Sequence, residues 1–138
     1  MTDPQRTLVL LKPDAVRRGL AGTILARYEA KGLTMAALEL RHIETAMADR
    51  HYADHVTKPW YPPLRDYITA GPLLALVLEG PSAIDVVRLM NGATNSVVAA
   101  PGTIRGDYSL SNRENLVHAS DSLESASREI GLWFPNLG

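Results

Sequence analysis

The chain predicts an α+β fold: a four-stranded antiparallel sheet covered by helices, with an inserted helical hairpin and a long loop before the last strand. Three observations predict it. Short aliphatic runs at Thr7–Leu11, Leu33–Arg41, Leu73–Glu79 and Asn115–His118 read as strands, and stretches of helical period separate them. The resulting order, β-α-β-α-α-β-α-loop-β-α, reduces to two split βαβ halves, which is the ferredoxin-like sandwich. At 138 residues, with no repeat, linker or low-complexity segment, the chain reads as a single domain over 1–138 with a substantial core.

Thr7-Leu8-Val9-Leu10-Leu11 is a buried strand that Pro13 closes by withholding a ladder donor, which leaves Lys12 at a strand end. From Gly19 to Lys31 the apolar residues Leu20, Ile24 and Tyr28 recur every four positions, and Lys31-Gly32 makes a basic last turn with a C-terminal glycine. In the second strand Leu38-Glu39-Leu40-Arg41 alternates, so one face should meet solvent. A second helical piece runs from Glu44 to His55. His51 and His55 have the spacing of helical metal ligands, but with no H-E-x-x-H pattern and no third ligand they read as ordinary helix side chains. Lys58-Pro59-Trp60-Tyr61-Pro62-Pro63 is an aromatic, proline-rich loop before a short helix ending at Ala70-Gly71-Pro72.

Leu73–Glu79 is the clearest strand, continuous enough to be central. Gly80-Pro81-Ser82 opens the next helix, with Ala83, Val86, Val87 and Met90 on its apolar stripe, Arg88 off it, and Asn91-Gly92 at its end. From Asn91 to Asn115 runs a long loop with a short helical segment near Val97–Ala100 and a glycine-punctuated stretch, Pro101 to Asp107, that carries Arg105. The last helix spans Asp121 to Leu132, with Asp121-x-x-Glu124 as a capping box, and Glu129 two turns on can point back toward His118. The tail from Trp133 reads as an apolar docking segment.

Composition excludes several classes of function. Fourteen basic and 15 acidic side chains give a formal charge of -1, so nucleic acid is not indicated and a polyanion would need a local cluster. The absence of cysteine removes disulfides and thiolate metal sites. Met1–Arg6 is too polar for a signal peptide, and the apolar run from Pro72 to Leu78 is too short to span a bilayer. A cytoplasmic protein with no membrane partner is expected.

The stretch from Pro101 to Ser122 organises the chemistry. It places His118 at the end of a strand with Ser120-Asp121-Ser122 ready to start a helix, a setting that suits an anion. A histidine there can attack a phosphoryl group while Arg105 neutralises the charge that moves. Taken singly, the same His is equally a cap or a satisfied core residue, and Lys12 and Arg88 are equally solvated cations. Trp60 is either a core or lid residue or a flat face for a planar ligand.

Taken together, these segments resemble the nucleoside-diphosphate kinase family. The residues that carry the resemblance are Thr7 to Ala15, Lys58-Pro59-Trp60, Gly71-Pro72, Gly92-Ala93-Thr94-Asn95, Pro101 to Asp107, Asn115 to His118 and Asp121 to Ile130. The similarity runs from about Arg6 to Phe134 in the right order and spacing. It implies a ping-pong transfer of the γ-phosphate of a nucleoside triphosphate to a nucleoside diphosphate through a phosphohistidine, with broad base tolerance. His118 matches the nucleophile, and Glu129 and Tyr52 match residues that orient its imidazole. Lys12, Arg88, Thr94 and Arg105 match holders of phosphates and sugar, Asn115 a sugar-hydroxyl partner, and Trp60 the base-stacking position. Mg²⁺ is expected to arrive on the nucleotide phosphates, because no carboxylate cage for it is visible. A homo-oligomer is implied, a hexamer ahead of a tetramer. The alternative is a catalytically inactive nucleotide- or nucleic-acid-binding regulatory protein on the same fold.

Three positions depart from the family's pattern. Trp60 replaces a usual Phe. Ala119 replaces a usual Gly after the nucleophile, where a positive φ would be strained. Ser96 replaces a usual Pro and so gives up a fixed φ in a loop tied to assembly.

Overall fold

The structure is a computed structural model that describes residues 4–138, so Met1–Asp3 of the polar N-terminal stretch lie outside the described residues. The strands are β1 (Pro4–Leu11), β2 (Thr34–Arg41), β3 (Leu73–Pro81) and β4 (Val117–Ala119). All their pairings are antiparallel, in the order β2-β3-β1-β4. This is the four-stranded ferredoxin-like sheet that the element order predicts.

The two central strands are covered on both faces, which is why they read as continuous aliphatic runs. Alternation along them still sorts the core into two layers. Val9, Leu11, Leu76 and Leu78 meet Ile24, Tyr28 and Val87 on one side. Leu8, Leu10, Ala75 and Val77 meet Ile68 and Trp133 on the other. β2 is an edge strand and departs from expectation. Its alternation predicts one solvent-facing side, yet both sides of this end are open: Leu38 is 48% and Leu40 60% exposed, and Glu39 between them is exposed too.

The helices are α1 (Pro13–Arg17), α2 (Ala21–Lys31), α3 (Thr45–His51), α4 (Tyr61–Ile68), α5 (Ala83–Asn91), α6 (Ile104–Tyr108) and α7 (Leu123–Trp133). Several boundaries differ from the sequence reading. Pro13 both ends β1 and starts the unforeseen α1, where its missing N–H has no intrahelical partner to lose. Gly19 lies ahead of α2 at φ 70 rather than inside it. The expected helix Glu44–His55 is broken at Tyr52 into α3 and a 3₁₀ turn, Ala53–His55. Pro62 and Pro63 belong to the first turn of α4, so Trp60 stands at that helix's N-cap and not in a free loop. Pro81 does not open α5; it ends β3 opposite Pro4, and Ser82 makes the turn at φ 52.

The Pro101–Asp107 stretch is also more ordered than a loop. Thr103 caps α6 by accepting from Gly106 N at 3.0 Å while donating to Ala100 O at 2.6 Å. A Cβ on Gly106 would lie 1.9 Å from that carbonyl, so only glycine allows the approach. α7 starts later than expected, and its cap is Ser122, which accepts from Ser125 N at 3.0 Å, in place of the Asp121–Glu124 box. Ser96 is the first residue of the 3₁₀ turn Ser96–Val98 and is buried with its Oγ unpaired. A proline would give up no turn hydrogen bond there, so serine exchanges a fixed φ for an orphaned hydroxyl.

Candidate active site

The ends of β1 and β4, the α3–α4 insertion, α5, α6 and α7 converge on one cleft of about 1180 Å³. All nine side chains expected at the site line it: Lys12, Tyr52, Trp60, Arg88, Thr94, Arg105, Asn115, His118 and Glu129.

His118 lies in β4 opposite Leu10, on the sheet's terminal strand, and is half-buried. Its Nε2 donates to Glu129 Oε1 at 2.8 Å. That carboxylate oxygen also accepts from Ser120 Oγ at 2.9 Å, and Ser120 Oγ in turn accepts from Leu8 N at 3.1 Å. An ionised carboxylate can only accept, so it fixes the imidazole proton on Nε2 and leaves the lone pair on Nδ1. The strand turns sharply just before this pair. Leu116 adopts φ 72, a left-handed conformation that costs a leucine about 1–2 kcal/mol. Asp14 holds it there: one carboxylate oxygen accepts from Leu116 N at 3.2 Å and the other from the Tyr67 hydroxyl. The backbone stress expected at Ala119 is therefore absent; Ala119 is an ordinary strand residue paired with Val9, and the positive φ falls three residues earlier.

The cations are built in at different depths. Lys12 donates to Asn115 Oδ1 at 2.7 Å, and Asn115 Nδ2 donates to Thr94 O at 2.9 Å, so the three connecting segments that carry them are tied together. Burial, then the nearby Arg105, lowers the Lys12 ammonium to about 8, with Asp14 acting in the opposite sense. Arg105 is buried on α6 and donates to Asn115 O at 3.2 Å, Gly92 O at 2.8 Å and Val117 O at 2.6 Å. Its guanidinium is thus a strut of the cleft floor as well as a charge, a role its position in an apparent loop did not disclose. Arg88 and Thr94 are exposed at the rim. Trp60 is 47% exposed, with its ring 5.1 Å from that of His55 and 5.3 Å from Lys58 Nζ.

Tyr52 lines the cleft, and burial pushes its hydroxyl up, but among the described residues it makes no hydrogen bond to His118. It packs edge-on against His51 at 4.6 Å, and His51 packs in the same way against His118. His51 was read as an ordinary helix side chain, and the structure corrects this. It is buried, its ring is 4.6 Å from that of His118, and its Nδ1 accepts from Trp133 Nε1 at 3.0 Å. Trp133 likewise is a fully buried support for the site and not merely a docking tail. The one clue in the sequence was His51 directly preceding Tyr52. Arg113, Asp121 and Arg128 also border the cleft. Hydrogen bonding from Ser125 holds the Asp121 carboxyl below the usual range.

Only the ammonium form of Lys12 can pair with an anion in the cleft. In the ligand-free protein kcat/KM for an anionic substrate is therefore expected to fall with rising pH through an inflection near pH 8. In kcat the inflection is expected at higher pH, because an anion bound beside Lys12 would favour the ammonium. A Lys12→Arg variant loses the inflection from both profiles, and a wild-type kcat/KM profile flat across that region would refute the role of Lys12.

A family model described as nucleoside diphosphate kinase matches residues 5–137. A relative of that name from Nocardioides sp. is 74% identical over 132 residues, 96% of this chain and 98% of its own length. One from Cutibacterium acnes, also so named, is 62% identical over 137 residues, 99% of each chain. The solved structure of a halophilic nucleoside diphosphate kinase from Halobacterium salinarum in complex with CDP superposes with a TM-score of 0.93 at 46% identity, covering 96% of this chain and 88% of that one. A nucleoside diphosphate kinase family protein from Babesia bovis gives a TM-score of 0.92 at 44% identity, covering 96% and 90%.

Proposed function

The chain belongs to the nucleoside diphosphate kinase family, enzymes that move a phosphate from a nucleoside triphosphate to a nucleoside diphosphate, and on that premise we propose that His118 Nδ1 is the atom that carries it. The observation that supports this most directly is the His118 Nε2–Glu129 bond at the floor of a cation-lined cleft, which leaves Nδ1 as the nucleophilic nitrogen.

In the first half-reaction the Nδ1 lone pair attacks the γ-phosphorus and the bond to the β,γ-bridging oxygen breaks. That electron pair leaves with the nucleoside diphosphate. The phosphorylated ring, protonated at Nε2, is cationic, and the Glu129 carboxylate stabilises it. A terminal phosphate oxygen of the second diphosphate then attacks the same phosphorus, and the P–N bond returns its electrons to Nδ1. Phosphoryl transfer is governed by positioning and charge neutralisation, which Lys12, Arg88, Arg105 and Thr94 supply from four separate segments of the chain. Trp60 offers a base a stacking face that is indifferent to which base it is. Asn115, with Oδ1 committed to Lys12 and one N–H to Thr94, keeps a second N–H for a sugar hydroxyl.

Mg²⁺ fits this site as an ion carried by the nucleotide. Among the described residues the lining has three carboxylates, Asp54, Asp121 and Glu129, and Glu129 is committed to His118 and Ser120. Asp54 and Asp121 would be the carboxylates to hold the hydrated ion, which when bound would supply neutralisation of phosphate charge. Nothing in the cleft favours the inactive regulatory alternative. We also propose that all of residues 1–138 act as one domain in the cytoplasm. No helix of the described residues is long and apolar enough to cross a membrane. Exposed Leu38 and Leu40 on the edge strand, with Val97 and Val98 at the Ser96 turn, support a homo-oligomer; the preference for a hexamer ahead of a tetramer rests on the family resemblance alone.

The decisive experiment is a two-step chase. Labelled ATP with Mg²⁺ should put label on the protein in an acid-labile form, and unlabelled nucleoside diphosphate added afterwards should remove it into a triphosphate. Transfer between nucleotides with no labelled protein at any time would overturn the proposal.

A further inference from the structure

His51 closes α3, lines the cleft and is 4% exposed, with its ring at 81° to that of His118. Its Nδ1 faces the indole N–H of Trp133. An indole nitrogen can only donate, so Nδ1 is the bare nitrogen and the proton of the neutral ring resides on Nε2. Trp133 is fully buried in the core layer beneath the sheet, so the indole is fixed. Arg128 fixes the end of α3 from the same helix, donating to Arg50 O at 3.1 Å and His51 O at 2.8 Å.

The second nitrogen, across the ring from the indole, has no acceptor among the described residues. It is not sealed in either: among the described residues the buried side-chain nitrogens and oxygens left without a partner are Thr7 Oγ1 and Ser96 Oγ, and not this one. Its N–H therefore opens on the cleft beside His118. His51, His118 and Glu129 place ligand-type atoms within 4.8 Å of one another, the proximity of a metal cluster. A metal-bound histidine gives its other N–H to a carbonyl or carboxylate. Here that nitrogen faces a donor, so the ring offers the cavity a proton and not a lone pair. Such a group suits an anion. Burial, followed by His118, Arg128, Lys12 and His55, holds the ring well below the ordinary imidazole range, so it donates as a neutral group.

Building on the assignment of His118 as phosphate carrier, we propose that His51 is a further catalytic residue, whose Nε2–H, aimed by Trp133, donates a hydrogen bond to the phosphoryl group in transit to and from His118.

The test combines rates with spectroscopy. In single-turnover labelling of the protein by ATP and Mg²⁺, His51→Leu should slow phosphorylation about 10²-fold, the scale of losing one donor to developing charge. Nucleotide affinity, read by Trp60 fluorescence, should be unchanged, and His51→Gln, which restores an N–H, should recover part of the rate. A Leu variant that is phosphorylated at the wild-type rate would overturn the proposal. In ¹⁵N spectra of the wild-type protein, a coupling across the hydrogen bond should join Trp133 Nε1 to His51 Nδ1, with the proton on Nε2 throughout the neutral range. A proton on Nδ1 would also overturn it. If the Leu variant does not fold, Trp133→Phe removes the indole N–H together with part of the buried ring system and should slow the same step severalfold, and an unchanged rate there counts against the proposal. Failure of the wild-type protein to take label at all would instead defeat the assignment of His118, leaving the His51 tautomer to be read by the spectra.

Discussion

A His118→Ala protein is expected to take no label from γ-labelled ATP and to lose nucleotide exchange by at least about 10⁴-fold, the scale on which a single member of a coupled nucleophile–base unit is lost. The reason is that neither His51 nor Lys12 is free to take its place. The bare nitrogen of His51 is turned to Trp133, and the Lys12 ammonium, still charged at neutral pH, is engaged with Asn115. The fold should survive the change. His118 is a half-buried residue on a three-residue strand, its backbone pairs with Leu10, and alanine needs no unusual dihedral there. Glu129 would keep its bond from Ser120. Quenching of Trp60 fluorescence by a nucleoside diphosphate should therefore persist while phosphoprotein disappears. Label retained on the His118→Ala protein would place the carrier on another side chain.

What the sequence disclosed and what it concealed follow different physics. The sheet was legible because burial on both faces of β1 and β3 leaves long aliphatic runs, and Glu129 was legible because a helix repeats its face every two turns. The nine site residues could be named because they sit in short, ordered segments that resemble a known family. Their partners could not. Arg105 looked like a loop cation, since three carbonyl acceptors brought from Gly92, Asn115 and Val117 exist only once the chain is folded. His51 and Trp133 are 82 positions apart, and nothing local in either says that one fixes the proton of the other. Strain was placed at the wrong residue for a similar reason. A glycine-to-alanine departure signals positive φ from sequence, whereas the leucine that adopts it is held by Asp14, 102 positions away. The edge strand is a plainer case: its alternation correctly marks a two-faced strand, but alternation alone does not say which face is covered, and among the described residues Leu38 and Leu40 stay exposed.

Glu129→Gln is the change that separates orientation from charge at the nucleophile, and it should lower kcat by about 10²- to 10⁴-fold with little effect on nucleotide affinity. The carboxylate does two things to His118. By accepting from Nε2 at 2.8 Å it selects the tautomer that leaves Nδ1 bare, and by its charge it stabilises the ring once phosphorus is bound. An amide keeps the first function only if its oxygen faces His118. Ser120 biases it that way, because its hydroxyl accepts from Leu8 N and so directs its own proton at Oε1. A single carbonyl oxygen can then take both Ser120 and Nε2, which keeps the tautomer and places the loss near the lower figure. If the amide NH₂ turns instead toward His118, the proton moves to Nδ1 and the loss approaches the upper one. Removing Ser120's hydroxyl in the Glu129→Gln background should therefore deepen the defect, because nothing then selects the amide's orientation. The charge function has its own readout. The equilibrium between ATP plus free protein and ADP plus phosphoprotein should shift toward the free protein in the Gln variant, since a cationic phosphoimidazole loses its counter-charge while the nucleotides lose nothing. A Glu129→Gln protein with wild-type turnover and a wild-type phosphorylation equilibrium would remove Glu129 from the mechanism altogether.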